Sequence, residues 1–267
     1  MKKYELTAEF IEKWGKKLFR IKALISFGSV EAGELGGYIE KEDNLAHDGN
    51  AWVSGNAEVY GDARVSGDAR VYGNAEVYGD ARVSGDARVY GNAWVSGNAE
   101  VYGDARVYGN AEVYGDARVY GDARVYGNAW VSGNAEVYGD AWVSGNAEVY
   151  GDAEVYGDAR VSGDARVYGD ARVCGDARVC DDADYLLIGR IGSRFSFTTF
   201  FKNKDKGITV SCGCFLGTIA EFRAKVTDTH GNNKHAKMYN LAADMAELQI
   251  LGEEHFDKLN TNKSEPF

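Results

Sequence analysis

The eighteen residues GNAEVYGDARVSGDARVY at positions 55–72 recur without one change at 73–90. They belong to an array of 22 six-residue units running from Gly49 to Cys180 without insertion, each reading Gly-[Asn/Asp]-Ala-x-Val-[Tyr/Ser/Cys]. A second block, GNAWVSGNAEVYGDA, appears at 91–105 and again at 127–141, an offset of 36. Repetition this strict leaves few folds open. Alternate side chains of a strand point to opposite faces, so the invariant Ala and Val share one core, while positions 4 and 6 face outward. Gly followed by Asn or Asp supplies residues that tolerate positive φ, so each unit turns a corner. A short strand and a corner in every unit make a prism, and three sides close one coil in eighteen residues. Units n and n+3 then stack. An eighteen-residue block copies intact because whole coils preserve every stacking register. The 22 units give about seven coils, which at ~4.8 Å each make a rod of roughly 35 Å stabilised by contacts between neighbours.

Three segments follow: an N-terminal cap over 1–48, the β-helix over 49–184 and a small α+β domain over 185–267. In the last, YLLIGRI, FSFTTFF and GITVSCGCF read as strands, with KNKDKG turning between the second and third. Thr218 and Glu221 form a capping-box start for a helix carrying Ile219, Phe222 and Val226 at helical spacing. A second helix is expected near 234–251, with Met238, Leu241, Met245 and Leu248 on one side. A solenoid's terminal coils expose unpaired backbone groups and a cut core, so both end segments are expected to act as plugs. A chain cut at Asp181 is then expected to form elongated assemblies.

Composition narrows the function. A formal charge of −11 argues against a general nucleic-acid or membrane binder, which would need a basic surface. No apolar run approaches the ~18–20 residues of a membrane-spanning helix. Four cysteines without a secretion signal read as reduced thiols, and hence as a cytoplasmic protein.

The units resemble the hexapeptide repeat of left-handed β-helix proteins, best known from bacterial acyltransferases. The flanking stretch KYELT, KLFRIKAL and SFGSVEAGELGGYIEKEDNLAHDGNAWV is similar to the N-terminus of YdcK-like hexapeptide proteins, a group that includes proteins assigned to acetyl transfer and many phage or prophage products. The resemblance implies a mainly β chain built on a single-stranded left-handed parallel β-helix. It also raises acyl transfer, which in this fold uses a histidine base and an acyl donor held between subunits. A general base must titrate near neutrality, and His47, His230, His235 and His255 all lie outside the 22 units. A non-catalytic scaffold or binding protein without a cofactor is therefore favoured. An acyltransferase and an acidic rod that mimics nucleic acid or sequesters a ligand are the alternatives.

Position 4, sorted by prism side, gives three columns. The first holds Trp52, Arg70, Arg88, Arg106, Arg124, Trp142, Arg160 and Arg178; the second Glu58, Glu76, Trp94, Glu112, Trp130, Glu148 and Arg166. The third mixes Arg64, Arg82, Glu100, Arg118, Glu136, Glu154 and Arg172. Stacked like charges should repel. All eleven arginines follow Asp at position 2, on the same side of the chain, so each is expected to be neutralised locally. The competing reading makes Arg70–Arg124, interleaved with Tyr72, Tyr90, Tyr108 and Tyr126, a groove for a small anionic ligand. Trp52, Trp94, Trp130 and Trp142 are the largest outward groups, and mark an expected contact with a protein partner or with further copies in a side-by-side trimer. Cys212, Cys214, His230 and His235 are a candidate metal set, with both thiols expected on one strand face.

Overall fold

The computed structural model describes residues 2–254. Each repeat unit forms one short strand, and the strands stack in three parallel sheets, one per side. One sheet contains eight units, from Trp52 to Arg178; the other two contain seven each. Pairing joins residues eighteen apart, as in Arg88 with Arg106 and Val89 with Val107. Every repeat Ala and Val is fully buried. The segment 35–48 adds a lead-in coil, with Leu35–Ile39 pairing in parallel with Glu58–Val59 and Leu45 bridging to Val65.

Glycine alone supplies the left-handed corner conformation; none of the Asn or Asp residues that follow has positive φ. At Gly109 φ is +77°, and an added Cβ would sit 3.0 Å from both N and O of Gly127 in the next coil. Gly109→Val should therefore cost about 3 kcal/mol, combining the ~1–2 kcal/mol of a left-handed L-residue with displacement of a backbone that is itself hydrogen-bonded. Denaturant unfolding tests this, and an unchanged midpoint would contradict it.

The backbone has a direction. N–H groups at positions 4 and 6, and many at position 2, donate to the following coil, as in Asn110 N to Gly127 O at 2.7 Å, Glu112 N to Ala129 O at 3.0 Å and Tyr114 N to Val131 O at 3.0 Å. The N-terminal end of the rod is thus rich in free carbonyls and the C-terminal end in free N–H groups, while the position-5 N–H groups within the strands run the other way, as in any parallel ladder. Unpaired backbone groups must find partners, and side chains of the flanking segments supply them at both ends. At the first coil, the Lys3 ammonium donates to the carbonyls of Asp48, Gly49 and Ala51, and the Tyr4 hydroxyl to those of Glu42 and Leu45. At the last, carboxylates and a hydroxyl accept: Asp182 from Arg166 N, Asp184 from Cys180 N and Thr199 from Arg172 N.

The N-terminal hairpin, Tyr4–Lys13 with Lys16–Ala23, turns at Trp14 and Gly15, both of positive φ, and extends the second sheet antiparallel beyond the lead-in strand. Positive φ at both central residues matches the right-handed strand twist. Lys13 reaches along the rod to bind Glu58 at 2.6 Å and Glu76 at 2.7 Å, which separates two stacked carboxylates. Farther along that sheet Trp94 and Trp130 intervene between glutamates.

The C-terminal unit is a four-stranded antiparallel sheet (Tyr185–Ile191, Ser196–Lys202, Ile208–Cys212, Phe215–Thr218) with two helices. Its alternation couples two cores: Phe201 is buried with the Ala/Val interior of the rod, and its neighbour Phe200 is buried with the helices. Helix α1 (Ile219–His230) starts at the expected capping box, with Glu221 N donating to Thr218 Oγ1 and Thr218 N to Glu221 Oε2. Helix α2 spans Lys234–Leu251.

Two expectations fail here. Cys212 and Cys214 do not share a strand face, because Gly213 (φ +60°) and Cys214 form the tight turn between the last two strands. The Met238–Leu248 side of α2 does not pack inward; Ala236, Tyr239, Ala242, Ala243, Ala246 and Ile250 do. Small alanines let the helix approach its neighbours closely, and the larger side chains are left outside.

Candidate functional site

The first face contains a groove. Residues 24–34 fold back over the lead-in coil, closed by reciprocal hydrogen bonds between Phe27 and Val30. Gly28 (φ +51°) brings this loop so close that a Cβ there would lie 3.3 Å from Asn50 and 3.4 Å from Arg70. Ser29 Oγ accepts from Arg70 Nη1 at 2.7 Å. Beneath the loop lies a cavity of about 520 Å³, lined by Trp52, Asp68, Arg70, Tyr72, Asp86 and Arg88 among others.

Beyond it Arg70, Arg88, Arg106 and Arg124 continue in register. Tyr72, Tyr90, Tyr108 and Tyr126 stack beside them at 4.8–5.0 Å between ring centroids, with their ring planes nearly parallel. The row stops at Trp142, which meets Tyr126 edge-on and lies between Arg124 and Arg160 at 4.9 and 4.4 Å. Burial and the neighbouring phenol push Tyr72 above its ordinary range, against the pull of the arginines.

The expected local neutralisation is absent. Among the described residues, no position-2 Asp forms an ion pair with the Arg two residues later. On the third face arginines pair between coils instead, Arg82 with Glu100, Arg118 with Glu100 and Glu136, and Arg172 with Glu154. The first column has no glutamates, and among the described residues the Arg88 and Arg106 side chains have no ion-pair or hydrogen-bond partner. Position 2 has another role. Asn56, Asn74, Asn92, Asn110, Asn128 and Asn146 form a ladder at one corner, each Nδ2 donating to the next Oδ1 at 3.0–3.2 Å and the last to Asp164 at 2.9 Å. The sequence carried that signal as an unbroken Asn column.

The tryptophans separate. Trp52 is only 3% exposed, packed edge-on against Tyr4 and Phe27, so it is a core residue of the N-terminal end and not an outward ring. Trp94 and Trp130, each 43% exposed, stand on the second face, away from the arginine groove. The metal set does not converge. Cys212 and His230 line one 190 Å³ pocket, Cys214 is exposed in the hairpin turn, and the His235 ring lies 5.9 Å from that of His230. Among the described residues no three His, Cys, Asp or Glu side chains could hold an ion. His47 stacks on Tyr4 in the N-terminal end, and His255 lies outside the described residues.

The YdcK β-solenoid repeat model matches the array at residues 57–73, 63–79, 69–85, 81–97, 87–103, 111–127, 117–133, 153–169 and 159–175. The chain is a YdcK-like β-solenoid repeat protein. No curated protein matches it. In this YdcK-like rod the matched segments include Arg70, Tyr72, Arg88, Tyr90, Arg124 and Tyr126 of the arginine–tyrosine row, so the candidate site is made of the repeat itself. Among the described residues no helix is long and apolar enough to cross a membrane.

Proposed function

We propose that this protein is a non-catalytic binding scaffold whose first face takes a small anionic ligand bearing hydroxyl groups, of the nucleotide or sugar-phosphate class. The carrying observation is the contrast between faces. Arg82, Arg118 and Arg172 on the third face are paired with glutamates of adjacent coils, whereas Arg88 and Arg106 stack in register without a counter-charge in contact. Stacked guanidinium groups repel unless an anion lies between them, and bidentate, charge-assisted hydrogen bonds to phosphate or carboxylate provide that. The tyrosine row offers an aromatic wall, and Asp68 and Asp86 at the groove mouth can accept from ligand hydroxyls.

Titration with ATP, a sugar phosphate and inorganic phosphate at low salt, read by fluorescence of Trp142 beside the row, tests the reading. Arg88→Glu with Arg106→Glu should weaken binding more than about tenfold, since each charged hydrogen bond is worth about 1.5–3 kcal/mol. Arg82→Glu should leave affinity unchanged. Equal effects of the two changes, or no binding of any probe, would overturn the proposal, and turnover of acetyl-coenzyme A would place the chain among acyltransferases instead.

A further inference from the structure

The outward side of α2 carries Met238, Leu241, Met245 and Leu248, with Leu241 63% and Met245 57% exposed. Their spacing of three, four and three residues is that of a coiled-coil seam, where alternate apolar positions repeat every 3.5 residues. The order is also its own mirror. About a point level with Ala243, Met238 lies opposite Leu248 and Leu241 opposite Met245, so the stripe read backwards places a leucine wherever the forward reading has a methionine. Two copies laid antiparallel would match Met to Leu at all four levels, as an isologous twofold interface requires.

The charges follow the same axis. The N-terminal turn of α2 bears exposed Lys234 and Lys237, and exposed Glu253 and Glu254 follow its C-terminal end. Antiparallel pairing puts the lysine end of each helix beside the acidic end of its partner, whereas parallel pairing would set like against like. Antiparallel alignment also opposes the two helix dipoles favourably. The helix is already ordered by its buried alanine side, so pairing carries little folding cost.

We infer that a second copy of this chain covers the α2 stripe, forming an antiparallel twofold dimer through Met238, Leu241, Met245 and Leu248. A short seam of this kind belongs with weak, reversible interfaces, with dissociation constants of roughly 1–100 µM.

Sedimentation or light scattering of the full chain across that range should show a concentration-dependent dimer. Leu241→Glu with Met245→Glu, on an exposed surface and so without effect on folding, should leave a monomer. Charge exchange tests the direction. Lys234→Glu with Lys237→Glu, and separately Glu253→Lys with Glu254→Lys, should each weaken self-association about tenfold, and an equal mixture of the two variants should recover wild-type affinity as a heterodimer. A full-length chain that stays monomeric throughout overturns the inference, and means that residues 255–267 or a different protein covers the stripe. Dimerisation unaffected by Leu241→Glu with Met245→Glu overturns it too, and charge variants that associate as well as wild type overturn the antiparallel arrangement.

Discussion

A rod stripped of both ends, residues 49–180, will assemble head to tail into filaments, whereas residues 1–180 will not elongate. The difference comes from backbone direction. Removing the C-terminal unit and the Asp182 and Asp184 acceptors bares a rim of N–H groups and a cut through the Ala/Val core. Such a rim continues in the coil-on-coil register only on another rod's N-terminal face, and in the 1–180 fragment that face remains covered by Lys3 and Tyr4. Cutting at Asp181 alone, which the repeat pattern suggested would suffice, therefore leaves one bare face per rod, and a single bare face cannot propagate. With residues 1–48 also gone, each end complements the other, and nearly interchangeable units let any coil dock on the next. A heterologous contact of this type does not close, so it propagates. Electron microscopy and light scattering of the two fragments decide the matter: a monodisperse 49–180 fragment, or equally long assemblies from both, would refute the directional account.

Alkaline pH will unfold the protein cooperatively, starting above pH 10. Tyr4, Tyr60, Tyr120, Tyr138, Tyr156 and Tyr185 are all held well above the ordinary phenol range, chiefly by burial, with nearby carboxylates, phenols or, at Tyr156, Cys174 adding to it. The native state keeps these protons where an unfolded chain, titrating near 10, releases them. The folded form therefore binds more protons, and stability that is fully present below pH 10 is lost as pH rises. One full proton difference changes stability by about 1.4 kcal/mol per pH unit, and an unfolded phenol is already half ionised at 10, so even three effective tyrosines, discounted for partial exposure, remove roughly 3 kcal/mol between pH 10 and 11. Lys3 works the other way: burial lowers it to about 8, so its share of stability rises between about 8 and 10.5. One lysine does not offset the tyrosines. Tyrosinate absorbance should lag free tyrosine and then jump together with loss of β-sheet dichroism. A smooth titration centred near 10 with the fold intact would show that the stacked rings are not protected.

Features that depend on local or strictly periodic chemistry were legible in the sequence. The inward Ala and Val, the glycine corners, the three-column stacking and the Thr218–Glu221 cap all follow from alternation, φ preference and short-range hydrogen bonding, and the structure contains each. What escaped depends on segments distant in the chain. Trp52 looks like any other outward position 4 until residues 24–34 fold over it. The stripe on α2 looks like a packing face unless one knows that the alanine side fits more closely against the sheet and α1. The Asp–Arg association suggested pairing within a unit, but Arg82, Arg118 and Arg172 of the third face find glutamates in adjacent coils, while the arginines of the first face do not. Within the candidate site the Arg and Tyr columns were readable, but the overhanging loop that encloses their first two coils was not.

The corner count has a geometric consequence for the molecule as a whole. Because the array has 22 units, one more than seven full coils, its final strand returns to the face on which it began, the arginine face, as the sheet from Trp52 to Arg178 records. Unit number thus sets the azimuth of the C-terminal end as well as its height. Inserting three units would raise α2 by one coil and leave its bearing unchanged, while inserting one would swing it by a third of a revolution around the axis. The rod works as a protractor as much as a ruler, and whole-coil duplication is the change that lengthens it without turning whatever its ends hold.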